Sequence, residues 1–118
     1  MFLKVLRTKI HRATVTQADV DYVGSIAIDR DLIEVSGLVR GECVLVADVE
    51  NGQRFETYVV EAPAGSGVIC VNGAAARLVE VGHEVIIMAF AYTTPDEAQA
   101  LAPVVVLVDK HNRVLRTL

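Results

Sequence analysis

The sequence predicts a mainly β protein, a small barrel with short inserted helices, and three observations carry that class. The chain holds 21 valines and no tryptophan, a bias toward β-branched residues that suit a pleated, half-buried surface. About seven short apolar or alternating runs are separated by glycine, proline, asparagine and aspartate, which is the punctuation of strands and turns. The helical patterns between them are short and irregular, unlike the regular alternation of a doubly wound sheet. At 118 residues, a single domain over 1–118 buries a core without disulfides or metal.

Residues 2–16 form one long strand or a strand pair, since Val5, Ile10, Thr14, Val15 and Thr16 are β-branched and no glycine or proline interrupts them. Residues 17–22 are a polar break, and Ile26-Ala27-Ile28 is a short buried strand. Asp29 then caps a helix over 30–36 that Gly37 closes. Gly41-Glu42 turns the chain into a strand over 43–49, and Asn51-Gly52 within 50–53 marks a hairpin with a return strand over 54–60. A turn over 63–67 precedes a short strand over 68–71, and the alanine row after Asn72-Gly73 favours a helical turn. After a turn over 79–82, a strand follows over 84–92. Thr94-Pro95-Asp96-Glu97 then has the spacing of a capping box that opens a helix to about Leu101. Pro103 ends it, and a strand over 104–108 turns through 110–113 into a last short strand at Val114.

Composition excludes several classes of function. A net charge of −4 with scattered lysines and arginines argues against nucleic-acid binding. The charges within the first seven residues rule out the apolar core of a signal peptide, and the longest apolar run, 85–92, is far short of a membrane span. A cytoplasmic protein is therefore expected. Cys43 and Cys70 have neither zinc-ligand nor redox spacing and are expected as core thiols. Gly65-x-Gly67 lacks the third glycine and following helix of a dinucleotide fingerprint. Hydrophobic residues make up 53% of the chain and 8 more residues are glycine, above the ~45–50% usual for apolar residues and glycine together. The excess predicts association through apolar surface.

Candidate chemistry centres on Gly24-Ser25, held between Asp21-Tyr22-Val23 and the strand that begins at Ile26. The Ser25 hydroxyl neighbours the Gly24 carbonyl, and glycine offers no Cβ to hinder an attack and tolerates unusual dihedrals. Lys9 and His11 project to one face of an extended chain, which either a site or solvent can use. Arg54, Glu56 and Tyr58 share one face of the return strand while Phe55, Thr57 and Val59 share the other. Arginine suits two parallel hydrogen bonds to a carboxylate and a tyrosine hydroxyl can pass a proton, although exposed strand faces carry such residues without a site too. The small residues Gly73, Ala74 and Ala75 let a backbone approach closely, and free N–H groups of a helical turn there can hold an anion.

In this order and spacing, Lys9-x-His11-Arg12, Tyr22-Val23-Gly24-Ser25, Asn51-Gly52-x-Arg54, Thr57-Tyr58 and Asn72-Gly73-Ala74-Ala75-Ala76 resemble the bacterial aspartate 1-decarboxylases from about residue 1 to about 110. Two departures are Arg77, where the family commonly has histidine, and an end soon after the last strand.

The resemblance implies a double-psi β-barrel assembled as a homotetramer, whose proenzyme cleaves itself autocatalytically between Gly24 and Ser25. Cleavage leaves a pyruvoyl group formed from Ser25, with no metal and no pyridoxal phosphate. The ketone forms a Schiff base with the amine of L-aspartate and acts as a carbanion sink while CO2 leaves. The product, β-alanine, feeds pantothenate and coenzyme A synthesis in the family. By resemblance Arg54 and Lys9 hold carboxylate, Tyr58 donates a proton, Thr57 helps self-cleavage and binds substrate, Asn72 takes part in self-cleavage near Ser25, and Asn72, Gly73, Ala74 and Ala75 line the substrate pocket. His11 and Tyr22 line the site without an assigned role, and a helper protein for maturation is left open. A barrel that binds a ligand with Gly24-Ser25 intact is the alternative from another class. Only the enzyme divides into residues 1–24 and 25–118.

Overall fold

The computed structural model describes residues 1–118. Its nine strands are β1 (Leu3–Thr14), β2 (Gln17–Asp19), β3 (Ser25–Asp29), β4 (Cys43–Asp48), β5 (Arg54–Ala62), β6 (Ile69–Asn72), β7 (Glu84–Thr93), β8 (Val104–Val108) and β9 (Val114–Thr117). Two short helices, α1 (Arg30–Ser36) and α2 (Pro95–Ala100), and a 3₁₀ helix over Gly73–Leu78 complete it. The strands lie in the order β2-β6-β3-β5-β4-β7-β1-β8-β9, with β1–β8, β2–β6 and β3–β5 parallel and the other neighbours antiparallel.

That order forces the sheet to curl. Only Val15 and Thr16 separate β1 from β2, yet the two strands lie far apart in the sheet, β2 being one of its edges. The chain crosses the opening there: the Thr16 N–H donates to the Ile69 carbonyl at 2.8 Å, and the Thr16 hydroxyl and Ile69 N–H share a bond at 3.0 Å. The result is the small, mainly β barrel expected.

Strand alternation fills its interior. Ile10 and Ala13 on β1, Ile26 and Ile28 on β3, Val44 and Val46 on β4, Phe55 and Val59 on β5, and Val85, Ile87 and Ala89 on β7 are all buried in one cluster. On β5 the alternate residues Arg54, Glu56 and Tyr58 are exposed, as their spacing predicts. The hairpin is present, with Ala47 opposite Arg54 and Val46 opposite Phe55.

Local signals at the helix ends also hold. The Asp29 side chain accepts from Asp31 N–H, and Gly37, at φ 78, donates to the Ile33 carbonyl. Thr94 and Glu97 exchange both bonds of the capping box. Asp29 does more than cap: it also accepts N–H bonds from Gly65 at 3.0 Å and Gly67 at 2.8 Å, tying the loop before β6 to the end of β3. Burial works against its charge, but those donors and nearby Arg113 hold its carboxyl below the ordinary carboxylate value.

Three expectations are corrected. The polar stretch at Gln17 is not simply a break, because Gln17–Asp19 pairs with Cys70–Asn72 as a short edge strand. Strands number nine, β9 being a full four-residue strand. Cys43 is not a core thiol: it is exposed, on the outward side of β4, with its Sγ donating to Glu56 at 3.1 Å. No helix is long and apolar enough to cross a membrane.

Candidate active site

Ser25 is the first residue of β3 and Asn72 the last of β6, and the antiparallel register sets them opposite one another. Both are buried, at 3% and 5% exposure, although each is polar and one closes a loop while the other opens a helix. Burial of polar groups demands partners, and these two supply each other: Asn72 Nδ2 donates to Ser25 Oγ at 3.0 Å. The hydroxyl in turn points to the Val23 carbonyl at 3.4 Å.

Gly24 meets the start of the 3₁₀ helix. Gly73 has φ +79, and a Cβ placed on it would lie 2.7 Å from Gly24 Cα and 3.0 Å from Gly24 N. Only glycine satisfies both the backbone angle and the approach. On the other side, a Cβ on Gly24 would meet nothing within 4 Å. The Gly24-Ser25 bond is therefore backed by Gly73, held through its serine by Asn72, and open beside Gly24.

The parallel ladder of β3 and β5 starts at Ile26 opposite Val59, so Tyr58 stands one step earlier, beside Ser25, at a strand spacing of about 4.8 Å. Tyr58 is exposed on the outward face and Thr57, half-buried, points the other way. Ala74 is exposed and Ala75 half-buried against the core. Tyr22, exposed, lies in the loop that leads into the bond. It borders a groove of about 370 Å³ together with Asp19, Ala27, Glu61, Cys70 and Asn72.

The remaining expected site residues lie elsewhere on the same chain. Arg54 is on the Tyr58 face of β5 but four residues earlier, about 13 Å along an extended strand. It is exposed and forms no ion pair. Lys9 and His11 are half-buried on β1, with Lys9 between Met88 on β7 and Val105 on β8. Between β1 and β3 stand β7, β4 and β5. His11 Nδ1 is buried without a hydrogen-bond partner. Burial, then Lys9 and Arg12, push its pKa down, which leaves a neutral imidazole with an unused ring nitrogen. One chain thus brings Tyr22, Gly24, Ser25, Asn72 and Gly73 together, sets Thr57 and Tyr58 just before the start of the β3–β5 ladder, and carries Lys9, His11 and Arg54 on a separate part of its outer face.

Asp48, Glu50 and His83 approach within 4.8 Å of one another, but their ligand atoms already close the base of the β4–β5 hairpin. His83 Nδ1 meets Asp48 Oδ2 at 2.7 Å, Asp48 Oδ1 accepts from Glu50 N–H at 2.8 Å, and Glu50 Oε2 accepts from Glu84 N–H at 2.9 Å.

Sequence reasoning did not bring Cys70 to this site. Its spacing of two from Asn72 on one strand, which puts both side chains on one face, was the available signal.

A small mixed-sheet barrel with a buried serine behind an accessible glycine is the frame on which the comparisons fall. A sequence profile of the aspartate decarboxylase family matches residues 1–115. Similar proteins include the aspartate 1-decarboxylase of Lactiplantibacillus plantarum, 57% identical over 116 residues that cover 98% of this chain and 89% of the relative. That of Corynebacterium efficiens is 55% identical over 115 residues, covering 98% of this chain and 85% of the relative. That of Caldicellulosiruptor saccharolyticus is 52% identical over 116 residues, with 98% and 91% coverage. The chain belongs to the aspartate decarboxylase family.

Proposed function

We propose that the protein decarboxylates L-aspartate to β-alanine, for pantothenate and coenzyme A synthesis, after cleaving itself between Gly24 and Ser25. The observation that carries the self-cleavage is the buried Ser25 hydroxyl, held at 3.0 Å by Asn72 next to a glycine with open space beside it. Family membership supports the reaction.

Ser25 Oγ attacks the Gly24 carbonyl carbon, a C–O bond forms, the peptide C–N bond breaks and the Ser25 nitrogen leaves as a free amine that takes up the hydroxyl proton. The Asn72 amide donates to the same oxygen, which gathers charge when it later leaves Cβ. Loss of the Ser25 α-proton then breaks the Cβ–O bond and releases Gly24 as a carboxylate. Water replaces the nitrogen as ammonia, and a pyruvoyl group remains on the chain that starts at residue 25. A donor in Asn72 and a residue 73 that carries no Cβ against residue 24 fit such a group. The pyruvoyl group supplies a ketone that takes up an amine and accepts the electron pair released with CO2.

Tyr58, beside Ser25, holds the proton that returns to the substrate carbon, and the backbone around Gly73 to Ala75 offers donors to a carboxylate. Thr57, at the same end of β5, assists cleavage. Arg54 and Lys9 bind carboxylate. Their distance from Ser25 within one chain, together with the half-buried apolar residues Leu45 and Met88 between them on the outer face, supports a homotetramer with sites at subunit boundaries.

Intact mass of the purified protein tests this reading. Wild type is expected as two chains, residues 1–24 and 25–118, the latter with its pyruvoyl terminus. Ser25→Ala is expected to fold, stay whole and form no β-alanine. Appearance of the 25–118 chain from that variant overturns the assignment.

A further inference from the structure

Cys70 has no role in the chemistry above, yet it stands two residues before Asn72 on the same outward side of β6. Its Sγ lies 3.2 Å from Asn72 Oδ1, while Asn72 Nδ2 lies 3.0 Å from Ser25 Oγ. We propose that Cys70 is a positioning residue for self-cleavage: its thiol donates to Asn72 Oδ1 and so turns the amide with its N–H toward the serine hydroxyl. The inference rests on the self-cleavage reading of Gly24-Ser25.

The orientation matters because the two ends of an amide have opposite effects on an oxygen that takes up charge. The Nδ2 group only donates, and a donor stabilises the charge that builds on Oγ when the Cβ–O bond breaks and that oxygen leaves with the Gly24 carboxylate. With the amide reversed, Oδ1 would face the same atom and repel that charge. Asn72 itself contains nothing that prefers one orientation, and the backbone at Asn72 is extended in either case. The neighbour that distinguishes them is a thiol, which has one proton to give. Cys70 is buried, and burial followed by the nearby Asp19 carboxylate pushes its pKa up, so the proton stays in place. It is flanked by Gln17 on β2 and Ala27 on β3, neither of which competes for Asn72 Oδ1.

The test compares cleavage of wild type, Cys70→Ala, Cys70→Val and Cys70→Ser, isolated as uncleaved precursor and followed by mass spectrometry, with the Tm of each precursor recorded. Removing the donor in Cys70→Ala and Cys70→Val is expected to slow first-order cleavage roughly three- to tenfold, the loss of one modest hydrogen bond. Cys70→Ser keeps a donor and is expected to return to within about twofold of wild type. Alanine empties the space and valine fills it, so a common defect in both, rescued by serine, marks the hydrogen bond. Wild-type rates in both Cys70→Ala and Cys70→Val overturn the inference and leave the self-cleavage reading standing. Restoration by valine but not by serine also overturns it, in favour of packing. A folded wild type that never divides removes both.

Discussion

Gly73 and Gly24 meet backbone to backbone, with Gly73 at φ +79 and no room between it and Gly24 for even a methyl group. Gly73→Ala must therefore shift the backbone beside the Gly24-Ser25 bond. In a Ser25→Ala background, which removes cleavage from the comparison, it is expected to cost about 1–3 kcal/mol of stability. With Ser25 present it is expected to mature slowly. Gly24→Ala, whose Cβ points into open space, is expected to leave the stability of the uncleaved chain nearly unchanged. Urea unfolding of the two variants, alongside fragment ratios, checks both statements; equal stability of the Gly73 variant and its parent would refute the first.

If Arg54 holds a substrate carboxylate, as proposed, replacing it separates substrate binding from maturation. Arg54→Lys retains the charge but not the fork that grips a carboxylate with two bonds. The specificity constant for aspartate is expected to fall about ten- to hundredfold, while the fragment ratio stays at the wild-type value. A variant that matures poorly but turns over aspartate normally once processed would instead put Arg54 in the cleavage machinery.

His83 and Asp48 make stability depend on pH. The hydrogen bond to Asp48, against some loss from burial, and the charges of Asp48, Glu50 and Glu80 raise the His83 pKa above its usual 6.5. Burial opposes the Asp48 charge, but His83 and the Glu50 and Asn51 N–H groups outweigh it and lower the Asp48 pKa below 3.8. A raised histidine pKa gives stability that is complete below 6.5 and is lost as pH climbs through the folded value. A lowered carboxyl pKa gives stability present above 3.8 and lost as pH falls through the folded value. His83→Gln is thus expected to lower Tm most near pH ~5.5 and least near pH ~9. A Tm difference independent of pH would show that the pair acts by packing alone.

If Arg54 and Lys9 serve the same site as Ser25, as proposed, their separation within one chain requires assembly. Light scattering at micromolar concentration is expected to give the mass of four chains. If the site combines Ser25 from one chain with Arg54 from its neighbour, co-expressed Ser25→Ala and Arg54→Ala chains are expected to recover decarboxylation that neither has alone. A monomer, or no recovery in mixed tetramers, would count against sites shared between chains.

Much of the fold was legible in the chain because strands and caps are local. The alternation of Arg54 to Val59, the Asn51-Gly52 hairpin, the Asp29 and Thr94 caps and the Gly37 terminus depend on periods and dihedrals within a few residues, and each stands where its pattern puts it. The family pattern also lay in the sequence, as short motifs at set spacing. What tertiary structure alone decided is which strands become neighbours. Cys43 and Cys70 sit in similar apolar runs and both point to the outer side of their strands, yet Cys43 is exposed beside Glu56 while Cys70, on a strand flanked by β2 and β3, is buried. Gln17–Asp19 is a strand only because β6 lies beside it. Asn72 reaches Ser25 across 47 residues, and His83 reaches Asp48 across 35. The curled sheet brings these pairs together, and its strand order reflects how the whole apolar interior is buried at once, which no local period encodes.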